Sequence, residues 1–110
     1  MSERRYISPA LPATPREDEV LKILAEECLE AAHRALKASR FGPTEVQPGQ
    51  PRSNAYRLGH ELGELLTMID VAAEHGLVST DALEAGREHK RRQLARFLQS
   101  DPDAVMGEGA

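Results

Sequence analysis

Aromatic residues are scarce in this sequence: there is no tryptophan, and only two phenylalanines and two tyrosines occur. A hydrophobic core must therefore be built from aliphatic side chains. The single cysteine, Cys28, has no internal partner for a disulfide bond, and we expect a buried, reduced thiol. No apolar run approaches the ~18 residues of a membrane span, and the N-terminus lacks the continuous apolar segment of a signal peptide. These absences predict a soluble cytoplasmic protein without a membrane partner.

Basic residues are fewer than acidic residues. The 14 Lys and Arg residues stand against 18 Asp and Glu residues, which gives a formal net charge of −4. Because nucleic-acid binding requires a basic surface, we expect no nucleic-acid partner. The length of 110 residues indicates one small domain, and a domain of this size buries only a modest share of its surface by itself.

Helical periodicity, in contrast, covers most of the chain. A capping box with proline at the first helical position opens a helix over residues 14–40, and a Gly-Pro pair ends it. Further helices are predicted over 54–76 and 80–99. The apolar stripe of the first helix centres near Leu24 and Ala35, and its members recur at helical spacing. They are Val20, Leu21, Leu24, Cys28, Ala31, Ala32, Ala35 and Ala38.

The segments outside these helices differ in composition. Residues 1–13 are predicted to be a mobile N-terminal arm, residues 14–99 a single all-α domain, and residues 100–110 a disordered tail. The connection over 42–52 contains two glycines and three prolines. It is long for a helix–helix loop, and such loops are often functional.

The expected fold class is an all-α antiparallel bundle of three long helices. Each helix would be about 30–40 Å long at 1.5 Å per residue. Alanine-rich stripes on three helices leave an apolar face uncovered. We therefore predict a homodimer or homotetramer that completes a four-helix layer across subunits.

Two pairs of glutamates occupy matching positions on the first two helices: Glu27 with Glu30, and Glu61 with Glu64. On a helical wheel, the first member of each pair lies about 80° from the centre of the apolar stripe and the second about 140°, with the same hand. Two carboxylates 5–6 Å apart repel each other by about 3 kcal/mol at an effective dielectric near 20. Hard divalent cations such as Mg²⁺ or Mn²⁺ relieve this repulsion. Spacing alone leaves open the alternative of solvated helix faces, where such pairs are common.

Two short stretches carry a resemblance to a known family. The sequence EECLE at Glu26–Glu30 resembles the E-E-x-x-E signature of the all-α nucleoside triphosphate pyrophosphohydrolases, the superfamily of MazG and the dimeric dUTPases. The sequence ELGELL at Glu61–Leu66 resembles the second signature, E-x-x-D, in its usual ELGDLL setting. KASRFG, PGQPRSN and MIDVAAEHGL are similar to a MazG-like subgroup seen in phage and bacterial genomes. The resemblance covers residues 18–98 in order.

This resemblance implies Mg²⁺-dependent hydrolysis of a nucleoside triphosphate to its monophosphate and pyrophosphate. Glu27, Glu30 and Glu61 match the metal ligands of the family. Glu64 stands where the family has aspartate, and its extra methylene displaces the carboxylate by about one bond length. Glu26 matches the first glutamate of the signature, and we assign it a water-orienting role in catalysis.

Five further residues are predicted to bind substrate. Arg34 and Lys37 follow the first glutamate pair by two helical turns on the same face, where they would meet phosphate oxygens. Arg40 at the helix end is placed to reach the nucleotide, Asn54 to bond sugar or base, and Lys90 to reach the phosphates. The alternatives are surface cations, a helix cap at Asn54 and a solvated basic face around Lys90.

Two other functions remain open from the sequence. The first is a di-iron or di-manganese carboxylate protein, because Glu30 and His33 form one Glu-x-x-His motif of the kind found in such bundles. The second is a catalytically inactive MazG-like regulator or adaptor, which the glutamate at position 64 favours.

Overall fold

The structure, a computed structural model, describes residues 10–98. Within that range the chain is helical and contains no strand, with α1 at Pro15–Phe41, α2 at Asn54–Glu74 and α3 at Thr80–Phe97. The predicted all-α class and the three predicted helices are thereby confirmed. The predicted disordered tail and most of the predicted N-terminal arm lie outside the described residues.

Local sequence signals explain where the helices begin and end. At the start of α1, the Thr14 hydroxyl accepts a bond from the Glu17 N–H at 3.2 Å, and the Glu17 carboxylate accepts one from the Thr14 N–H at 2.9 Å. Gly42 ends α1 with a φ of 99°, a conformation that favours glycine. The hydroxyls of Ser53 and Ser79 each accept a bond from a backbone N–H three residues further on, at the starts of α2 and α3.

The chain divides after Ala72 into two compact units. The first contains α1 and nearly all of α2, and the second contains α3. The single domain over 14–99 and the packing of three helices as one bundle stay predictions.

Within the first unit, α1 and α2 form an antiparallel helical hairpin. Asn54 at the start of α2 bonds to Gly42 at the end of α1, whereas Glu27 in the middle of α1 meets Glu61 in α2. On each helix, one row of buried and half-buried residues recurs with an alternating spacing of four and three, which is typical of helices packed along a shared stripe. We call these facing rows the hairpin seam: Val20, Leu24, Glu27, Ala31, Arg34 and Ala38 of α1 with Asn54, Leu58, Glu61, Leu65, Met68 and Ala72 of α2.

The hairpin seam corrects the predicted stripe of α1. The stripe was centred near Leu24 and Ala35, yet Ala35 is exposed. Cys28 is also exposed, so the expectation of a buried thiol is wrong. The error arises because only apolar residues were counted, while Glu27 and Arg34 occupy positions in the row. The packed face of α1 is rotated toward these two charged residues.

The loop between α1 and α2 is bound to the first turn of α2 by Asn54, which is 3% exposed. The Asn54 side-chain amide donates to the Gly42 carbonyl and to the Glu45 carboxylate, both at 2.9 Å. Its backbone N–H donates to the Glu45 carbonyl at 2.9 Å. A third side-chain bond runs from the Arg57 guanidinium to the Gln47 side-chain oxygen at 3.0 Å. These bonds give the loop a defined path over the end of the hairpin.

We expect Asn54→Ala to lower the free energy of unfolding by about 1–3 kcal/mol, because it removes the donor to the Glu45 carboxylate and one of the two donors to the Gly42 carbonyl. Chemical denaturation monitored by circular dichroism measures the effect. Gln50→Ala in the same loop removes an exposed side chain and should cost less than about 0.5 kcal/mol. Equal stability of the two variants would contradict the assigned role of Asn54.

Candidate functional site

Three glutamates of the hairpin form the carboxylate cluster, defined as Glu27 of α1 with Glu61 and Glu64 of α2. One carboxylate oxygen of each lies within 4.8 Å of those of the other two. Glu61 and Glu64 are neighbours on one helix face because they are three residues apart. Glu27 joins them because it and Glu61 both lie in the hairpin seam. The fold therefore brings together side chains that are far apart in sequence.

Two oxygens of the cluster have no access to water and no hydrogen-bond donor. They are Oε1 of Glu27 and Oε2 of Glu61. Burying a carboxylate oxygen without a partner is costly. The neighbouring carboxylates offer no relief when ionised, since they then only accept hydrogen bonds. A proton shared by the pair, or a cation, would relieve this cost.

The pKa of the Glu61 carboxyl shows the effect of these neighbours. Its pKa is raised from the ordinary value of 4.5 to about 7. The largest cause is the hydrogen bond to Glu27 that protonation allows, followed by burial and by the negative charges of Glu27 and Glu64. Below about pH 7 the cluster thus holds a proton, which a bound cation would displace.

The other predicted acidic residues lie outside the carboxylate cluster. Glu26 and Glu30 are exposed on α1, and neither belongs to the group of converging carboxylates found within residues 10–98. Glu64 is longer than the aspartate of the family signature, and its carboxylate lies in the cluster. Its Oε2 also lies 4.0 Å from Nδ1 of His60, a contact that becomes an ion pair when the histidine is protonated.

A cavity of about 230 Å³ opens beside the carboxylate cluster and shares Glu61 with it. Of the five predicted substrate-binding residues, Arg34 lines this cavity. The sequence interpretation missed two further arginines in its wall, Arg52 and Arg57. Arg57 was detectable, because it precedes Glu61 by four residues and so shares its helix face. We call this space the arginine cavity; its lining is Arg34, Gln50, Pro51, Arg52, Tyr56, Arg57, His60 and Glu61.

The remaining substrate-binding predictions fall elsewhere. Lys37 and Arg40 line a separate groove on α1, where the Arg40 guanidinium lies 5.5 Å from the centre of the Phe41 ring. The Asn54 amide nitrogen is bonded to the loop at both of its donor positions. Lys90 lies on α3, in a groove lined by α3 residues. A nucleotide contact by any of these four residues stays a prediction.

Comparisons with protein-family models, with curated proteins and with solved structures find no match. The resemblance to the MazG-like pyrophosphohydrolases therefore rests on the sequence stretches quoted above. Among the helices of residues 10–98, none combines the length and the apolar character needed to cross a membrane.

The raised pKa of Glu61 predicts a pH-dependent stability in metal-free solution. Between pH 4.5 and about 7 the folded chain retains a proton that the unfolded chain releases. The stability that this proton provides is fully present below pH 4.5 and is lost as pH rises through about 7. Urea denaturation at several pH values, with a chelator present, measures the free energy of unfolding.

Glu61→Gln should flatten this pH profile, because the variant has no carboxyl to titrate at that position. Glu30→Gln makes the same chemical change on the exposed part of α1 and should keep the wild-type slope. If both variants retained the wild-type profile, the assigned interaction within the carboxylate cluster would be wrong.

Proposed function

We propose that this chain is a Mg²⁺-dependent nucleoside triphosphate pyrophosphohydrolase that acts in nucleotide-pool control in the cytoplasm. The reaction consumes a (d)NTP and water and yields the (d)NMP and pyrophosphate. The observation that carries the proposal is the convergence of Glu27, Glu61 and Glu64 within 4.8 Å. The resemblance of EECLE and ELGELL to the two family signatures points to the same residues.

The donor set of the carboxylate cluster fits a hard divalent cation. All its members are oxygen donors, which Mg²⁺ and Mn²⁺ prefer over nitrogen or sulfur. Two of the oxygens are hidden from water and have no donor, so a cation would satisfy both. Glu27, Glu61 and Glu64 would hold the ion. Glu30, the fourth predicted ligand, lies on the exposed surface of α1 three residues after Glu27.

Held by these residues, Mg²⁺ would neutralise phosphate charge and lower the pKa of a coordinated water. Water adds its oxygen to phosphorus, the anhydride bond between the α- and β-phosphates breaks, and pyrophosphate leaves. Arg34, half-buried in the wall of the arginine cavity, stabilises negative charge that develops on the phosphate oxygens. Glu26 keeps its proposed role of orienting water.

The alternatives receive less support. The glutamate at position 64, where the family signature has aspartate, favours an inactive regulator. The Glu64 carboxylate nevertheless lies in the cluster. A di-iron or di-manganese protein would use Glu30 and His33, both of which are exposed on α1. The carboxylate cluster contains no histidine. These observations favour the magnesium enzyme.

Oligomerisation is part of the proposal. Leu29 and Leu36 of α1 are 72% and 69% exposed, and Leu66 of α2 is 55% exposed. Leu29 and Leu36 are seven residues apart, so they lie on one face of the helix. Burying apolar side chains of this size is favourable by about 1.5–3 kcal/mol each. We propose that a homodimer or homotetramer covers them.

Incubation with Mg²⁺ and a panel of common and modified (d)NTPs should release monophosphate and pyrophosphate, detected by anion-exchange chromatography. Glu27→Gln and Glu61→Gln should each lower the rate by at least about a hundredfold, because each removes a ligand charge from the proposed metal site. Both variants should keep the wild-type helical circular dichroism and lose the heat stabilisation that Mg²⁺ gives.

Glu19→Gln is the matched control for these variants. It neutralises a glutamate of α1 that is exposed and paired with Arg16 at 3.4 Å. Its turnover should equal that of the wild type. Full activity of both Glu27→Gln and Glu61→Gln would refute the metal assignment, and absence of turnover with every nucleotide would favour the regulator.

Sedimentation equilibrium at micromolar concentration should give a mass of two or four times 12.1 kDa. Replacing both Leu29 and Leu36 by Ser should shift the chain toward the monomer, since the contact loses apolar area. Replacing Lys22, an exposed residue of α1 paired with Asp18, by Ser leaves those leucines intact and should preserve the assembly. A wild-type chain that sediments as a monomer would contradict the proposal.

A further inference from the structure

The wall of the arginine cavity is strongly cationic. Arg34 comes from α1, Arg52 from the loop and Arg57 from α2, whereas Glu61 is the single acidic residue of the lining. Among the described residues, none of these three arginines forms an ion pair with a carboxylate. Three guanidinium groups and one carboxylate therefore line the cavity, which leaves it a net positive charge.

Two of the three arginines are held in place by neutral partners. The Arg52 guanidinium lies 4.5 Å from the centre of the Tyr56 ring, and the Arg57 Nη1 donates to the Gln47 oxygen at 3.0 Å. Stacking on an aromatic ring leaves the in-plane N–H groups of a guanidinium available to an oxyanion. The cavity thus offers oriented donors at little further cost in side-chain entropy.

The Tyr56 ring in the lining already contacts two neighbouring side chains. The Tyr56 ring packs against Arg52 and also stacks with His60 at a centroid distance of 6.4 Å. The volume of about 230 Å³ is smaller than the roughly 300–1,000 Å³ of pockets that enclose a drug-sized ligand. The cavity therefore suits a compact anion better than a whole nucleotide or a stacked base.

We propose that the arginine cavity is a binding site for linear polyphosphate, with Arg34, Arg52 and Arg57 donating hydrogen bonds to adjacent phosphoryl groups. Guanidinium groups bind phosphate oxygens through paired, charge-assisted bonds. Because Glu61 belongs to both the arginine cavity and the carboxylate cluster, the bound phosphates lie next to the acidic residues. The proposal that this cavity binds an anion does not depend on the proposed function. The further statement that the anion is the triphosphate of a substrate rests on the proposed function.

Anion binding in the arginine cavity depends on the charge of the Glu61 side chain. Its carboxylate opposes an anion in the cavity, so neutralising it strengthens anion binding. Glu61→Gln should therefore bind polyphosphate more tightly than the wild type in the absence of metal. This effect is opposite in sign to the loss of turnover expected for the same variant.

Isothermal titration of inorganic tripolyphosphate into the full, chelator-treated chain tests the proposal. Arg34→Gln and Arg52→Gln should each raise the Kd by about tenfold or more. Lys22→Gln removes the same charge from α1 at a site about 18 Å along the helix axis from Arg34 and should change the Kd by less than twofold. Arg52→Lys keeps the charge but not the paired donors, and it should remain weaker than the wild type.

Three outcomes would overturn the site: no binding by either the wild type or Glu61→Gln, equal weakening in Lys22→Gln and the arginine variants, or displacement of tripolyphosphate by an uncharged nucleoside. A parallel titration with a nucleoside triphosphate identifies the source of the anion. Equal sensitivity of both ligands to Arg34→Gln supports a nucleotide tail, and sensitivity of tripolyphosphate alone supports free polyphosphate. If tripolyphosphate bound but Mg²⁺ gave no heat stabilisation, the proposed function would fail while the anion site would stand.

Discussion

Two carboxylates occupy positions in the hairpin seam that aliphatic side chains would fill in an ordinary helical pair. Glu27 and Glu61 follow the same alternation of four and three residues as the apolar members of their rows. Ionised carboxylates within 4.8 Å of one another repel by about 3.5 kcal/mol or more at an effective dielectric near 20. A small hairpin with three buried apolar residues among those described has little apolar burial to set against this cost. A proton or a cation between the carboxylates would relieve this repulsion.

The seam also changes character along its length. Away from the loop it is aliphatic, with Val20 and Ala72 buried. Toward the loop it carries first Glu27 and Glu61 and then Arg34, so acidic side chains are followed by a basic one. If the two charged regions form the proposed site, both would need a rigid backbone, since a displacement of about 1 Å is enough to impair a functional site. The bonds from Asn54 to the loop provide that rigidity at the basic end.

Local chemistry explains which parts of the structure were predictable from the sequence. Helix ends depend on caps and on Gly-Pro pairs within a few residues, and the glutamate pairs depend on spacing along one helix. The exact packed face of α1 was not predictable from apolar residues alone, because the seam includes Glu27 and Arg34. The position of Arg52 depends on the loop path, which Asn54 fixes through bonds to residues nine and twelve positions away. Such non-local bonds leave no periodic signal in the sequence.

Sharing Glu61 between the carboxylate cluster and the arginine cavity has a thermodynamic consequence. A cation among the carboxylates removes negative charge that opposes an anion in the cavity, and an anion there strengthens the field that attracts the cation. By linkage, each ligand must raise the affinity of the other by the same factor. If the chain binds both ligands as proposed, each site binds its ligand more tightly when the other site is occupied, and the complex of metal and polyphosphate is the species bound most tightly. This coupling gives a physical reason for placing ionisable side chains in a seam where they weaken the packing.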